Sequence, residues 1–333
     1  MKIDFGKVRK ILIIQFKPFG DVLLTTSYLE ALRDRFQNAK IDFLVSEPYN
    51  QVLFNNPYLD EIIAIKEQKG LSYYYERISL FSKIWKRKYD LIIDQQNMNS
   101  SGQVVLFSGA KYRLGYADAQ WSFAYNLKAN RGKVCYSASR KFDILQPLGI
   151  KKRPYKLYYF IKKESIEYID NWLKKVGLKD KEFLCFSPGS PVKKKKWKIE
   201  NYAKLADLIL GNTNYKVVLL WASNEISDAL KMKELMKNAP IIAPKTNLNQ
   251  GVAMLKQSKL LICNDGGLNH LSVAVDCPSL AIFGNTSPSV WSPAFAFKNH
   301  YHLYNAECDS KKDSSFGITP KVAFEKVMEI LEK

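Results

Sequence analysis

Short apolar runs rich in β-branched and aromatic residues alternate along this chain with longer segments of helical periodicity, and the whole pattern occurs twice. The first series of runs covers residues 10–16, 41–45, 61–65 and 89–94, with a shorter one at 112–116. Between the first two runs, residues 22–36 read as one amphipathic helix in which Leu24, Tyr28 and Leu32 recur at i, i+4 and i+8. Runs apolar on both faces suit strands of a parallel sheet covered by helices on each side. After a polar, lysine-rich stretch the series restarts at 183–186, 216–221, 241–243, 260–263 and 279–283. Helical patterns fall at 164–175, 199–210, 225–237, 248–257 and 268–275, and a last helix runs from Pro320 to about 332, where proline suits the first turn. The expectation is α/β: two successive doubly wound, Rossmann-like domains, residues 1–163 and 164–333. A chain of 333 residues also exceeds what one hydrophobic core sustains, about 250–300 residues.

Hydrophobic residues make up 47% and charged residues 25%, a globular composition that excludes a disordered or collagen-like chain. Lys and Arg exceed Asp and Glu by 19. The excess is even, 22 against 14 in residues 1–150 and 29 against 18 in residues 151–333, so no basic tail exists. Such a surface asks for an anionic partner: nucleic acid, an anionic leaflet or a phosphorylated small molecule. Cys135, Cys185, Cys263, Cys277 and Cys308 are far apart and never form C-x-x-C, which reads as reduced thiols in a cytoplasmic protein. The early apolar stretch at 11–14 is too short for a secretory or membrane-spanning segment.

In open parallel sheets, ligands bind beyond the carboxyl ends of the strands. Three strand-to-helix junctions carry chemistry there. The first is Phe16-Lys17-Pro18-Phe19-Gly20-Asp21, which presents a carboxylate where a helix begins. The second runs from Ser187-Pro188-Gly189-Ser190 into Lys193, Lys194, Lys195, Lys196 and Trp197, a Gly/Ser turn and clustered ammonium groups suited to phosphate. The third is Cys263-Asn264-Asp265-Gly266-Gly267-Leu268-Asn269-His270, where paired glycines bring the backbone and the helix N-terminus close to an anion. Each also has a purely structural reading: Asp21 and Asp265 as caps, the lysines as a solvated loop, His270 as a packed histidine.

The chain lacks G-x-G-x-x-G after a strand, G-x-x-x-x-G-K-[ST] and G-x-S-x-G, which removes the usual dinucleotide, P-loop and serine-hydrolase readings. D-x-D, a spacing used to hold a metal on a sugar nucleotide, is absent too. His300 and His302 share one face of a strand without a third ligand nearby, so no metal site is expected.

In this order and at these separations, the segments resemble glycosyltransferase family 9, the group of the lipopolysaccharide heptosyltransferases. The matching stretches include residues 10–14, 20–26, 89–94 and 108–115, Pro188 to Ser190, Lys195 to Trp197, Asn264 to Gly267 with His270, and Pro278 with Phe283 and Gly284. The resemblance implies a GT-B fold, two Rossmann-like domains facing each other across a cleft, the first for the acceptor and the second for a nucleotide-diphosphate sugar. It implies an inverting, metal-independent transferase without a cofactor. The donor implied is ADP-L-glycero-β-D-manno-heptose, and the acceptor the anionic Kdo-containing inner core on lipid A at the cytoplasmic face of the inner membrane. The protein is then cytoplasmic, peripheral on that membrane, and a monomer.

Carried over by motif, Asp21 is the general base, and Lys195 with the backbone near Gly267 and Leu268 absorbs charge on the leaving diphosphate. Ser190 helps to hold phosphate; Asp265, Gly266 and His270 position the donor; Glu225, or Asn224 before it, reaches the ribose. Gly20, Lys17 and Arg113 fall on the acceptor side. Lys17-Pro18-Phe19 replaces the Ser-Ser common before Gly-Asp, Lys198 the proline usual after the tryptophan, and Ser27 a common proline after Thr-Thr. Two other readings remain: a UDP- or GDP-sugar transferase in surface polysaccharide assembly, and a basic nucleic-acid-binding protein. Against the last stand the even charge and the lack of a helix-turn-helix, RRM or OB signature.

Overall fold

A computed structural model of the chain describes residues 4–66, 70–222 and 224–333. It comprises two units, Met1–Phe160 and Ile161–Lys333. In the first, β1 (Lys10–Ile14), β2 (Lys40–Ser46), β3 (Glu61–Ile65), β4 (Leu91–Asp94), β5 (Tyr112–Tyr116) and β6 (Leu127–Ala129) pair in parallel in the order β3-β2-β1-β4-β5-β6. Its helices are α1 (Phe19–Thr25), α2 (Leu29–Arg35), α3 (Leu71–Arg87), α4 (Asn99–Phe107) and α5 (Ser137–Lys141).

The second unit has β7 (Phe183–Ser187), β8 (Lys216–Leu219), β9 (Ile241–Ile242), β10 (Leu260–Asn264), β11 (Ser279–Phe283) and β12 (His300–Tyr304), paired in the order β12-β11-β10-β7-β8-β9. Its helices are α6 (Lys163–Lys175), α7 (Ile199–Asn212), α8 (Ile226–Leu235), α9 (Leu248–Gln257), α10 (Gly267–Ala274), α11 (Pro288–Trp291) and α12 (Pro320–Leu331). Numbered within its own unit, each sheet reads 3-2-1-4-5-6, the dinucleotide-fold order. Such a sheet reverses its direction of growth between its first and fourth strands, which are β1 and β4 in one unit and β7 and β10 in the other. That reversal opens a crevice at the carboxyl ends where ligands bind.

The central strands are buried throughout, including Ile11 to Ile14, Phe183 to Ser187 and Leu260 to Asn264. Helices therefore cover both faces, as the unalternating apolar runs require. Edge strands β3 and β12 are only half-buried.

Three features depart from the sequence pattern. The single helix expected over 22–36 is two, α1 and α2, joined by a 3-10 turn at Thr26–Tyr28. The Thr25 hydroxyl donates to the Asp21 carbonyl (2.7 Å) and that of Thr26 to the Leu23 carbonyl (2.6 Å), back-bonding that bends a helix. Strand β6 has three residues with Lys128 exposed between two buried neighbours, too short to stand out by periodicity. Trp197, inside the lysine run, is fully buried: its indole N–H donates to the carbonyls of Ser315 (2.8 Å) and Ile318 (3.2 Å) and its ring meets Tyr202 edge-on. The expected first-turn proline is present in α12, where Thr319 caps the helix by accepting from the Val322 N–H.

Candidate active site

In the first unit Asp21 is not the N-cap of α1; Pro18 holds that position and Asp21 is the third residue of the first turn. Its carboxylate instead meets Lys141, the last residue of α5, with Nζ to Oδ1 at 3.0 Å. Lys141 is 8% exposed and Asp21 23%. Burial pulls the Lys141 ammonium below its ordinary value, against the attraction of Asp21. Lys141 Nζ also donates to Gln15 Oε1 (3.0 Å), and Gln15 Nε2 donates to Gln96 Oε1 (2.7 Å) and to the Lys17 carbonyl (3.0 Å). Gln96 Oε1 further accepts the backbone N–H groups of Phe16 (2.8 Å) and Lys17 (3.0 Å). Gln15 follows β1 and Gln96 follows β4, so this network stitches the loops at the crevice and fixes the turn through Lys17, Gly20 and Asp21.

Arg113 stands apart from this group. It sits near the start of β5, paired with Ile92, and its guanidinium donates to the carbonyls of Ala124 (2.8 Å) and Ala110 (2.9 Å). Gly115, two residues on, is required for space: a Cβ there would come within 2.3 Å of the Tyr125 ring. The Tyr125 hydroxyl donates to the buried Asp94 carboxylate (2.7 Å), whose proton affinity burial raises to about 6. In the R-x-G segment, then, the arginine is held by backbone carbonyls and the glycine makes room for Tyr125.

In the second unit the lysine run and the paired glycines meet at the other crevice. Lys195 Nζ lies 2.6 Å from Asp265 Oδ2, and here the burial is reversed, with the lysine 25% exposed and the carboxylate 2%. Thr286 donates to the same carboxylate oxygen (2.6 Å). Asn264, ending β10, accepts the Trp197 N–H (2.9 Å) and donates to the carbonyls of Pro188 (2.9 Å) and Gly189 (3.0 Å). Asn264 and Asp265 therefore tie the β10 end to the loop after β7.

Gly266 is the N-cap of α10, and the first-turn N–H groups of Gly267 and Leu268 have no intrahelical acceptor. Beside them Lys195 approaches the face of Trp291 (6.0 Å), and the buried His270 ring lies 6.4 Å from the same indole. Glu225, half-buried just before α8, packs so closely on the loop after β7 that a Cβ on Gly189 would fall 2.4 Å from its Oε2. Burial pushes its carboxyl up from the ordinary value. Asn224 is exposed next to it. Ser190 closes its own turn, its hydroxyl donating to the Val192 carbonyl and accepting the Val192 N–H, both at 3.2 Å. Lys196 is paired with Asp228, whereas Lys193 and Lys194 are exposed.

Lys141, Gln15, Gln96, Thr286 and Trp291 are absent from the sequence-derived set. Thr286 lies in the bend that begins at Gly284, and the other four lie in no glycine turn of their own; chain packing brings all five to the crevices.

A family model described as glycosyltransferase family 9 (heptosyltransferase) matches residues 77–319. Lipooligosaccharide heptosyltransferase 2 of Haemophilus influenzae is 26% identical over 97% of this chain and 99% of its own. Among solved structures, a family 9 glycosyl transferase from Veillonella parvula superposes with a TM-score of 0.85 at 23% identity, covering 97% of both chains. The Escherichia coli heptosyltransferase WaaC with ADP-2-deoxy-2-fluoro heptose gives 0.76 at 21% identity, over 96% of this chain and 99% of that one. The chain belongs to glycosyltransferase family 9 and is a glycosyltransferase of the GT-B fold.

Proposed function

We propose that the protein transfers a heptose from ADP-L-glycero-β-D-manno-heptose to the Kdo-containing inner core of lipopolysaccharide, with inversion and without a metal. The observation that carries this is the reversed burial of the two ion pairs. In the first unit the buried member is the lysine, so the group left toward solvent is a carboxylate, Asp21. In the second the buried member is the carboxylate, so the accessible group is an ammonium, Lys195. Inverting transfer needs both: a base for the acceptor hydroxyl and a cation for the leaving diphosphate.

In this reading the first unit binds the acceptor and the second the donor. Asp21 takes the proton from the acceptor hydroxyl as its oxygen bonds to the anomeric carbon and the bond to the β-phosphate oxygen breaks. Lys195 and the N–H groups of Gly267 and Leu268 receive the developing phosphate charge. Asp265 and Thr286 hold Lys195 in place, and Glu225 lies beside the same loop, where a ribose hydroxyl would find an acceptor.

The test is transfer from ADP-heptose to a Kdo-bearing lipid A with EDTA present, the product's anomeric configuration being read by NMR. Inverted product formed without metal is expected; retained configuration, or loss of transfer that a divalent ion restores, overturns the mechanism. Calorimetric titration with ADP, UDP and GDP is expected to favour ADP. A preference for UDP or GDP would move the donor and leave the mechanism.

Helix α3 supports a lipid-linked acceptor. Tyr74, Ile78 and Trp85 are exposed along one side of it, and Phe81 packs on the exposed Phe107 of α4 with ring centroids 5.2 Å apart. Lys86 and Lys88, both exposed, follow Trp85 at the end of the helix. An apolar ridge with ammonium groups beside it suits the headgroup boundary of an anionic bilayer. Among the described residues no helix is long and apolar enough to cross a membrane. Sedimentation with anionic vesicles is expected, weakened by Trp85→Ser with Ile78→Ser; absence of sedimentation by the wild type would end the docking reading.

A further inference from the structure

Asp94 ends β4 at the carboxyl edge of the first sheet, fully buried, and among the described residues no lysine or arginine is paired with it. A buried charge is costly unless other groups hold it. Here neutral donors do so: Oδ2 accepts the Tyr125 hydroxyl (2.7 Å) and Oδ1 the Asn97 N–H (3.1 Å). An ionised carboxylate only accepts, so it can serve both donors at once.

The bond to Asn97 closes a tight turn through Gln95 and Gln96, in which Asn97 takes the left-handed conformation at φ 57°. Gln96 is fixed inside that turn, its N–H and that of Gln95 both donating to the Ile14 carbonyl (3.0 Å). From there its side-chain oxygen takes the N–H groups of Phe16 and Lys17 and the amide of Gln15, and Gln15 accepts from Lys141, the partner of Asp21. The turn closed by Asp94 thus reaches the loop of Asp21 by two routes, the backbone at 16–17 and the Gln15–Lys141 contact.

The R-x-G segment bears on the other oxygen of Asp94. The Arg113 N–H donates to Asn126 Oδ1 (2.8 Å), the Asn126 N–H to the Arg113 carbonyl (3.0 Å), and the guanidinium to the Ala124 carbonyl (2.8 Å). Residues on both sides of Tyr125 are therefore pinned, and Gly115 leaves the space that its ring fills.

We propose that Asp94 is a positioning residue for Asp21: its carboxylate, held by a tyrosine that the R-x-G segment seats, shapes the turn through which Gln96 fixes the loop of the base. The inference rests on the reading of Asp21 as base. It gives Arg113 and Gly115 a part in the reaction without contact with substrate.

Burial raises the Asp94 carboxyl to about 6. The ionisable groups facing it are Tyr125, Tyr28 from the turn between α1 and α2, and Tyr116 at the end of β5; burial raises all three hydroxyls, which stay protonated at neutral pH. Helix α4 carries no ionisable side chain, β1 only Lys10 at its far end, and β5 adds Arg113, whose guanidinium is turned to carbonyls. A proton on Asp94 turns one acceptor oxygen into a donor facing Asn97 or Tyr125, and the turn loses one of its two holds.

The test follows the backbone N–H signals of Phe16, Lys17 and Asn97 in ¹H–¹⁵N spectra between about pH 5 and 8. A common transition with its midpoint near 6, absent from Asp94→Asn, is expected. Phe16 and Lys17 signals that do not follow Asn97, or the same transition in Asp94→Asn, overturn the proposal. Should Asp94→Asn not fold, Tyr125→Phe removes one donor and is expected to move the midpoint upward; an unmoved midpoint overturns it.

In transfer assays Asp94→Asn is expected to lower kcat about 10- to 100-fold, as for a displaced catalytic group, and to leave the ADP-heptose KM within about twofold. Gln96→Ala is expected to cost a similar factor, and the double variant no more than the larger single loss, because both act along one path. An unchanged kcat in either single variant, or losses that multiply, overturns the proposal. The failures are distinguishable: a wild type that transfers nothing to Kdo-bearing lipid A ends the functional reading, whereas the amide titration judges the coupling without turnover.

Discussion

The two units share one strand order and one kind of ion pair, a lysine against an aspartate at the crevice, yet they bury opposite partners. Lys141 is shut in behind Asp21, and Asp265 is shut in behind Lys195. The same two residue types therefore turn a carboxylate toward solvent in one unit and an ammonium in the other. Burial, rather than residue type, assigns the role. A buried charge is costly to leave alone, so each hidden partner also holds the exposed one in a fixed position.

Activity gives the largest effects. Asp21→Asn should lower transfer about 10³-fold, within the range of a lost general base, while ADP affinity measured by calorimetry stays within about twofold. Lys195→Met should lower kcat by about 10²- to 10³-fold, as for a lost oxyanion partner, and should weaken ADP binding as well. If Asp21→Asn weakened ADP binding as much as Lys195→Met, the division of labour between the units would fail.

Stability gives the next effects, and here the reversed burial makes a crossed prediction. Removing the accessible member strands a buried charge, at a cost of about 3–5 kcal/mol. Asp21→Asn and Lys195→Met should therefore destabilise strongly in urea unfolding. Removing the hidden member leaves a partly solvated charge, so Lys141→Met and Asp265→Asn should cost much less, although transfer still falls because the accessible group loses its support. The double variant Lys195→Met with Asp265→Asn should regain most of the stability and none of the activity. Equal costs for all four single variants would show that burial does not separate the pairs.

The smallest effects are those of pH. Burial raises the Asp94 carboxyl to about 6 from an ordinary 3.8, so the folded state binds its proton before the unfolded state does. Stability contributed by this group rises as pH falls through 6. Burial lowers His300 to about 4 from 6.5, so its contribution is full above 6.5 and is lost as pH falls toward 4. Between pH 7 and 5 each change is about 1–2 kcal/mol, with opposite sign in the two units. Asp94→Asn should thus gain on the wild type as pH rises from 5 to 7, and His300→Gln should gain on it as pH falls. Parallel pH curves for wild type and either variant would remove that group from the account.

Much of the fold was legible. The runs at 61–65, 112–116 and 279–283 coincide with β3, β5 and β11, and the periodicity over 248–257 coincides with α9. Those signals are local, set by residues two to four positions apart. The reading slipped in two places: local threonine back-bonding, which apolar periodicity does not register, divided the helix over 22–36, and β6 gains its strand form from longer-range pairing with β5. The candidate site divides in the same way. Gly20, Asp21, Asn264, Asp265, Gly266 and Gly267 stand out because turns between strand and helix need particular residues. Lys141 does not, for it closes a short helix in a segment that carries no junction motif and is 126 positions from the Gln15 oxygen it donates to. Trp197 looked like part of a phosphate loop, and its burial shows that it anchors the lysines from beneath.

The sequence alone determined the two-fold α/β repeat, the place of the three junctions at carboxyl strand ends, and the pairing of acid with glycine there. Those properties follow from backbone preference and nearest-neighbour periodicity, which any short window contains. Only the tertiary structure decided which member of each Asp–Lys pair is withdrawn from water and which framework residues fix it. Desolvation depends on everything packed around a group, and no local stretch of chain carries that information.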